Sequence, residues 1–352
     1  MADLFHFLRP LLFCLDPETA HRLTVKALAL GLAPPAPPVR DKRLETSVLG
    51  LDFANPLGMA AGFDKHGEAM VGVLGLGFGF VEVGTITPRP QPGNPRPRVF
   101  RLVEDSAVIN RYGFNSRGHA YAAARLAAWR AEHEGKGGIV GVNLGANKDS
   151  ADRAEDYAAG LRAFAGLADY FVINISSPNT PGLRELQGRA ALADLLARLG
   201  AARSDEAPLL LKIAPDLSGQ DREDIAEVAL DGGIDGLIIS NTTIERPAGL
   251  ISRQAGEAGG LSGRPLFAPS TRLLADMYRL TGGRLALIGV GGIASGRDAY
   301  DKILAGASLV QLYSALVFEG PALVPRVLRE LADLLKADGY AHLSDAVGQA
   351  AR

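Results

Sequence analysis

Eight short apolar or β-branched runs, "NPLGMAA", "FGFVEVG", "GGIVGVNLG", "YFVINIS", "PLLLKIAP", "DGLIISNT", "LALIGVGG" and "ASLVQLYS", alternate with helical stretches from residue 55 to residue 314. Alternation of this kind argues for parallel βα units. Roughly eight units over about 300 residues is the count and size of a (β/α)8 TIM barrel, with a doubly wound open sheet as the alternative. Intervening segments such as "YAAARLAAWRAE" and "RAALADLLARLG" read as Ala/Leu/Arg helices that cover the strands.

The polar residues sit at one end of the runs. Asp64 and Lys65 follow the first, Thr85 the second, Asn143 the third, and Asn174 and Ser177 the fourth. Lys212 ends the fifth, Ser240, Asn241 and Thr242 the sixth, Gly291 and Gly292 the seventh, and Tyr313 and Ser314 the eighth. In a barrel these ends meet at one mouth, where active sites of the fold lie.

Each group narrows the chemistry. "IGVGGIASGRDA" puts glycines between a strand and a helix, and "LVQLYSAL" repeats the strand-to-helix turn; both suit an anion such as a cofactor phosphate. Neither has P-loop spacing or opens the chain as a dinucleotide fingerprint. Lys212 lies inside an apolar strand and needs an anionic partner, either a salt bridge within the barrel or a cofactor that becomes negative during turnover. Lys65, beside Gly62 and Gly67, reads as a site residue and His66 as a loop residue. Asn110, Asn174, Asn179 and Asn241 are turn formers singly, but amides gathered at one mouth suit a flat heterocycle with alternating C=O and N–H groups. In "NISSPNTPG" no His or Asp stands beside the serines, so Ser177 reads as a proton acceptor in a closed site rather than a nucleophile. No His, Asp or Glu cluster has metal-ligand spacing, so no metal is expected. The segment "TPRPQPGNPRPRVFRLVEDSAVINRYGFNSRG" is too long for a passive loop and is expected to form part of a lid.

The N-terminus stands apart. Residues 3 to 14 and about 17 to 31 read as two helices, the second started by Asp16-Pro17-Glu18, and the Pro-rich "APPAPPV" closes the unit. This divides the chain into a hairpin and linker over 1–40 and a barrel over 41–352. Leu4, Phe5, Phe7, Leu8, Leu11, Leu12 and Phe13 cover more than one helical stripe, so the hairpin either docks on the body or lies in a membrane surface with Arg9 and Arg22 at headgroup level. No run approaches the ~20 apolar residues of a membrane span, and the start lacks the marks of a signal or transit peptide, as in an unprocessed bacterial-type protein. The single cysteine, Cys14, leaves no intrachain disulfide, and a net charge of −2 without a basic run argues against nucleic acid.

Together "AAGFDKHGE", "VGTITPRPQPGNPRPRVFRL", "INRYGFN", "NISSPNTPGLR", "KIAPDLS", "SNTT", "GGLSGRPL", "IGVGGI" and "LVQLYSA" make nearly the whole chain resemble the dihydroorotate dehydrogenase family, in its membrane-associated, quinone-reducing class. The resemblance implies oxidation of dihydroorotate to orotate in pyrimidine biosynthesis, with one FMN across the barrel mouth and a membrane quinone, ubiquinone or menaquinone, as final acceptor. It implies FMN contacts at Ala61, Gly62, Phe63, Asp64, Lys65, Thr85, Asn143, Asn174, Lys212, Ser240, Gly263, Gly292, Tyr313 and Ser314. Dihydroorotate would be held by Lys65, Asn110, Arg111, Tyr112, Gly113, Phe114, Asn174, Asn179, Asn241 and Thr242, with Ser177 taking the C5 proton while hydride leaves C6. Ser240 stands where many relatives carry Thr. The soluble class uses a Cys base, which Cys14 in the hairpin cannot supply. In the quinone class the hairpin forms a tunnel that His21 and Arg101 would line, although His21 also reads as a plain surface residue. A peripheral place on the cytoplasmic side of a bacterial inner membrane follows. Two rivals remain: an FMN barrel that acts on a pyrimidine ring with a nicotinamide partner, and a non-catalytic flavin-binding membrane protein.

Overall fold

All eight runs form strands: β1 Leu57–Met59, β2 Phe80–Ile86, β3 Ile139–Leu144, β4 Tyr170–Asn174, β5 Leu209–Ile213, β6 Gly236–Ile239, β7 Ala286–Val290 and β8 Leu309–Leu312. In the computed structural model, which describes residues 2–133, 138–204 and 206–351, they pair in sequence order, all parallel, and β8 pairs with β1 to close a barrel. The open-sheet alternative is excluded by that closure. Side chains alternate across each strand, as the two-residue period requires. Val81, Val83, Phe171, Ile173, Leu211 and Ile213 pack outward in the cluster that also holds the helix residues, whereas Phe80, Tyr170, Val172, Leu210, Ile238 and Ile288 fill the interior. A hairpin of Thr46–Val48 and Leu51–Phe53 plugs the N-terminal end, where Phe53 meets Phe80 edge to face at 5.3 Å.

The interior changes character along its axis. Apolar rings fill the plugged end, and inward positions nearer the other end are Glu82, Asn143, Asn174, Lys212 and Gln311, all buried. Register sets neighbours among them: Asn174 lies opposite Lys212 across the β4/β5 pair.

The long segment before residue 118 is not a plain loop. Val99–Leu102 and Ala107–Asn110 form an antiparallel hairpin, and Gly260–Gly263 adds a third strand. Phe100, Leu102, Ala107, Ile109 and Leu261 bury one face, and Val99, Arg101, Val108, Asn110 and Ser262 turn the other toward the mouth. The lid is thus a small sheet, and its signal was the alternation in "RVFRL" and "SAVIN".

The N-terminal helices are α1 Ala2–Cys14 and α2 Pro17–Ala29, the latter capped by Asp16, whose Oδ1 accepts from the Thr19 N–H at 2.9 Å. Among the positions assigned to the apolar face of α1, the Leu4 side chain lies outside the described residues. The body holds one side of α1: Phe13 meets Phe318 edge to face at 6.1 Å, and Arg9 donates to the Phe318 carbonyl at 3.1 Å. The opposite side is bare, with Phe7 79% and Leu11 69% exposed. The hairpin therefore docks and also presents apolar surface outward. Its firmest anchor is Glu18, 5% exposed, which accepts from Arg98 at 2.8 and 2.9 Å and from Arg96 at 2.9 Å. Burial alone would raise the Glu18 pKa, but bonds and charge from the two guanidiniums prevail and hold it below the usual carboxylate range.

Candidate active site

The barrel mouth opens into one cavity of about 1070 Å³ that continues between α1 and α2. Its inner half is lined by Thr85, Asn174, Ser177, Lys212, Asn241 and Thr242, and its outer half by Phe5, Leu8, Leu12, Phe13, Ala20 and Leu28. Between the halves stand Phe63, Tyr313 and His21: Phe63 contacts the other two rings edge to face, at centroid distances of 5.5 and 5.6 Å. Polar chemistry at one end and an apolar passage at the other belong to a single space.

The inner floor is a chain of amides. Asn174 Nδ2 donates to Thr85 Oγ1 at 2.9 Å, and Thr85 Oγ1 donates to Asn143 Oδ1 at 2.5 Å. Asn241 Nδ2 donates to Asn174 Oδ1 at 3.2 Å and to Ser176 Oγ at 3.0 Å. Beneath it lies Glu82, fully buried, which accepts from Asn143 Nδ2 at 2.7 Å and from Gln311 Nε2 at 2.6 Å, with Lys212 Nζ 3.9 Å away. Glu82 and Lys212 are the only charged residues in the eight barrel strands. Sequence reasoning asked for an anionic partner to Lys212 and did not name Glu82, although a lone acid in "FVEVG" was a signal of the same kind. A buried pair offsets its desolvation only when its remaining polar atoms are bonded, and the Asn143 and Gln311 amides meet that need for Glu82. Lys212 also lines the cavity, so it has both the barrel salt bridge and the open face that the sequence offered as alternatives.

The two serines of "NISSPNTPG" separate cleanly. Ser176 is fully buried and bonded to Asn174 and Asn241. Ser177 lines the cavity, and its Oγ accepts only the Asn179 backbone N–H, at 3.3 Å, among the described residues. Asn179 Nδ2 in turn donates to the Asn110 carbonyl at 3.2 Å, which ties this loop to the lid sheet. Arg184, which sequence reasoning did not single out, clamps the loop from behind: it donates to the Ser176 carbonyl at 3.0 Å and the Thr242 carbonyl at 3.1 Å and pairs with Asp216 at 2.8 Å.

Lys65 Nζ lies 4.0 Å from the Tyr112 ring centroid, and the Arg98 guanidinium lies 5.3 Å from the same ring. Burial, then repulsion from Arg98, pushes the Lys65 pKa down to about 8, with Glu18 opposing. No carboxylate pairs with it among the described residues, so it is a cation held ready for an anion. Gly113, Phe114 and Tyr112 line the same wall. Arg111 turns away, pairing with Glu257 at 2.8 Å and crossing the Phe100 ring. Asp64 and Asn143 do not reach the cavity surface; Asp64 accepts the backbone N–H groups of His66, Glu68 and Ala69 and so shapes the loop that carries Lys65. Half-buried His66 stays a loop residue.

At the far side of the mouth, Gly291 and Gly292 turn with φ of 107° and 77°, and Gly263, Ser240 and Ser314 stand nearby on the same cavity. A Cβ on Gly292 would lie 2.6 Å from the Phe267 nitrogen, so only glycine admits this close approach of turn to helix. The exposed backbone of the turn and the hydroxyl of Ser314, which shares a 2.8 Å bond with Ser262, suit a phosphate. The donor set fits a phosphorylated flavin: amides for a ring edge, a cation at Lys212, and a glycine turn for an anion.

Toward α1 and α2, His21 Nδ1 bonds to the Tyr313 hydroxyl at 3.0 Å. Burial, then the charge of Lys65, pushes the His21 pKa down to about 3, so its ring is neutral near pH 7. Arg101 lines the cavity with its guanidinium 4.6 Å from the Phe13 ring, and it donates to the carbonyls of Leu12 and Leu15, at and just past the C-terminal end of α1, where a cation is favoured.

Residues 43–335 match the family model described as dihydroorotate dehydrogenase. The chain is 61% identical over 346 residues to the dihydroorotate dehydrogenase (quinone) of Parvibaculum lavamentivorans, with 98% of each chain covered. It is 56% identical over 342 residues to the mitochondrial dihydroorotate dehydrogenase (quinone) of Mus musculus, covering 95% of this chain and 87% of the other. Among solved structures, the Eimeria tenella enzyme in complex with ferulenol superposes with a TM-score of 0.92 at 43% identity, over 96% of both chains.

Proposed function

The chain belongs to the dihydroorotate dehydrogenase family, and from that premise we infer that its barrel mouth oxidises dihydroorotate to orotate in pyrimidine biosynthesis and passes the electrons through a bound flavin to a quinone. The observation that carries this reading is the continuity of the cavity, from an amide-lined polar mouth to an apolar passage between two helices. A nicotinamide partner would need a second polar nucleotide site on that passage, whose walls are Phe5, Leu8, Leu12 and Phe13.

The flavin is FMN in this reading, because the Gly291–Gly292 turn suits one phosphate. When bound, it accepts the hydride from C6 of the substrate. Release by denaturation and chromatography is expected to give one FMN per chain; FAD or no flavin would contradict the assignment.

The residues then have separate tasks. Lys212, kept company by Glu82, stabilises negative charge on the ring edge that faces it. Asn174, Asn241, Thr242, Asn179 and Asn110 hold the pyrimidine ring by its alternating donors and acceptors. Lys65 pairs with the substrate carboxylate. Ser177 accepts the C5 proton. One lone pair of its Oγ accepts from the Asn179 N–H and the other is free for the C5 proton; a hydroxyl carrying a second proton is a strong acid, so Ser177 must pass its own hydrogen to a hydrogen-bonded water or threonine hydroxyl in the same step, behind a lid sheet that excludes bulk water.

The Lys65 pairing has a pH signature. The ammonium is present below its depressed pKa of about 8 and lost above it. Thus kcat/KM for dihydroorotate is expected to fall by up to about tenfold per pH unit above roughly pH 8, because this parameter reports the free enzyme. A flat profile to pH 9.5 would remove Lys65 as the carboxylate's partner.

In the outer half, with Tyr313 taken as the donor to His21 Nδ1, the Nε2 hydrogen would face a quinone carbonyl, with Arg101 as a second donor. The apolar face of α1, with Phe7, Leu8 and Leu11 exposed, is read as seated in the surface of a membrane, on the cytoplasmic side. No helix among the described residues is long and apolar enough to cross one. Co-sedimentation with liposomes is expected for the full chain, and a Phe7→Glu, Leu11→Glu variant is expected to stay in the supernatant.

A further inference from the structure

Lys302 lies behind the cavity wall rather than on it. It is fully buried on the helix Gly296–Leu304, and no carboxylate pairs with it among the described residues. Its Nζ donates to Ser270 Oγ at 2.9 Å and Thr271 Oγ1 at 3.1 Å, in the first turn of the helix Phe267–Thr281. Both hydroxyls lie within hydrogen-bond distance of the Phe267 carbonyl, and Ser270 Oγ also lies 3.3 Å from the Gly291 carbonyl. The amine thus reaches the Gly291–Gly292 turn through one side chain, and neither Lys302 nor Ser270 lines the cavity. The Phe267 ring lies 5.2 Å from Nζ, and the methylene stem of Lys302 passes where a side chain on Gly289 would stand, its Cδ 3.1 Å from that position. Among the charged groups of the described residues only Asp298, one turn earlier on its own helix, acts on it, and that carboxylate is engaged with the Ala294 N–H at 2.9 Å. Burial outweighs Asp298 and pushes the Lys302 pKa down to about 7. A buried amine without a counter-charge is costly to keep ionised. A phosphate dianion in the turn would supply the missing charge.

We propose that Lys302 is a positioning residue and buried counter-charge for the flavin's phosphate, holding the Gly291–Gly292 turn through Ser270 and becoming protonated when the phosphate binds. This rests on the reading that the turn holds the phosphate, and the experiment separates the two. Affinities of flavin-free full-length protein for FMN and for riboflavin are measured by fluorescence quenching at pH 8. The wild type is expected to prefer FMN; equal affinity would remove the phosphate site and this inference with it. Lys302→Met is expected to weaken FMN at least tenfold while riboflavin changes less than twofold. Equal weakening of both flavins would make Lys302 a packing residue only and overturn the proposal, as would no change in either. A second measurement needs no variant. Calorimetric titration of the wild type with FMN at pH 8, in buffers of different ionisation enthalpy, is expected to show net uptake of most of one proton, with none for riboflavin. Absence of uptake with FMN would show that Lys302 is not the counter-charge.

Discussion

Replacing Ser177 by alanine is expected to slow flavin reduction by dihydroorotate roughly 10²- to 10⁴-fold, the range that a positioned proton acceptor contributes. The flavin should remain bound, because among the described residues the Ser177 hydroxyl meets only the Asn179 N–H and supports no part of the amide floor. Anaerobic stopped-flow absorbance measures the rate directly, and unchanged reduction would move the base elsewhere. The adjacent serine is the control. Ser176 is enclosed by Asn174 and Asn241, so Ser176→Ala should loosen the ring contacts and raise the substrate's apparent dissociation constant more than it slows the reduction step. A large fall in that step for Ser176→Ala alone would reverse the assignment of the two.

Deleting residues 1–40 is expected to slow reoxidation by quinone on the order of 10²-fold, since the apolar half of the cavity would lose Phe5, Leu12, Phe13 and His21 and with them the alignment of the acceptor. Reduction by dihydroorotate should change far less. It should not be wholly spared, however. The deletion removes Glu18, leaving the Arg98 guanidinium, 6% exposed, without its carboxylate beside the ring that Lys65 contacts. A rise in the KM for dihydroorotate without a fall in the rate of flavin reduction is the expected mark of that coupling. Equal loss of both half-reactions would make the hairpin structural only.

The barrel was legible because parallel strands buried on both faces leave near-continuous apolar runs, and the candidate site was legible because seven of them end in polar residues and the seventh in order, Ala286–Val290, runs into the Gly291–Gly292 turn. What escaped was whatever depends on pairing across distance. Glu82 needs Lys212 to be meaningful, Arg98 needs Glu18, and Arg184 matters only once the carbonyls of Ser176 and Thr242 face it. The lid was anticipated as a loop because its third strand, Gly260–Gly263, lies some 150 residues further along the chain. Asp64 and Arg111 differ in kind: they stand in motifs that mark the site, while the Asp64 side chain shapes a loop and the Arg111 side chain pairs with Glu257.

The central claim is that one cavity joins a substrate-oxidising mouth to a quinone passage. Its most direct test follows the flavin absorbance of the purified chain under anaerobic conditions, first with dihydroorotate and then with a short-chain ubiquinone, NAD+ or fumarate. Bleaching by dihydroorotate and recovery with the quinone alone is the expected result. Failure of dihydroorotate to bleach the flavin, or recovery with NAD+ or fumarate at a rate equal to that with quinone, would contradict it.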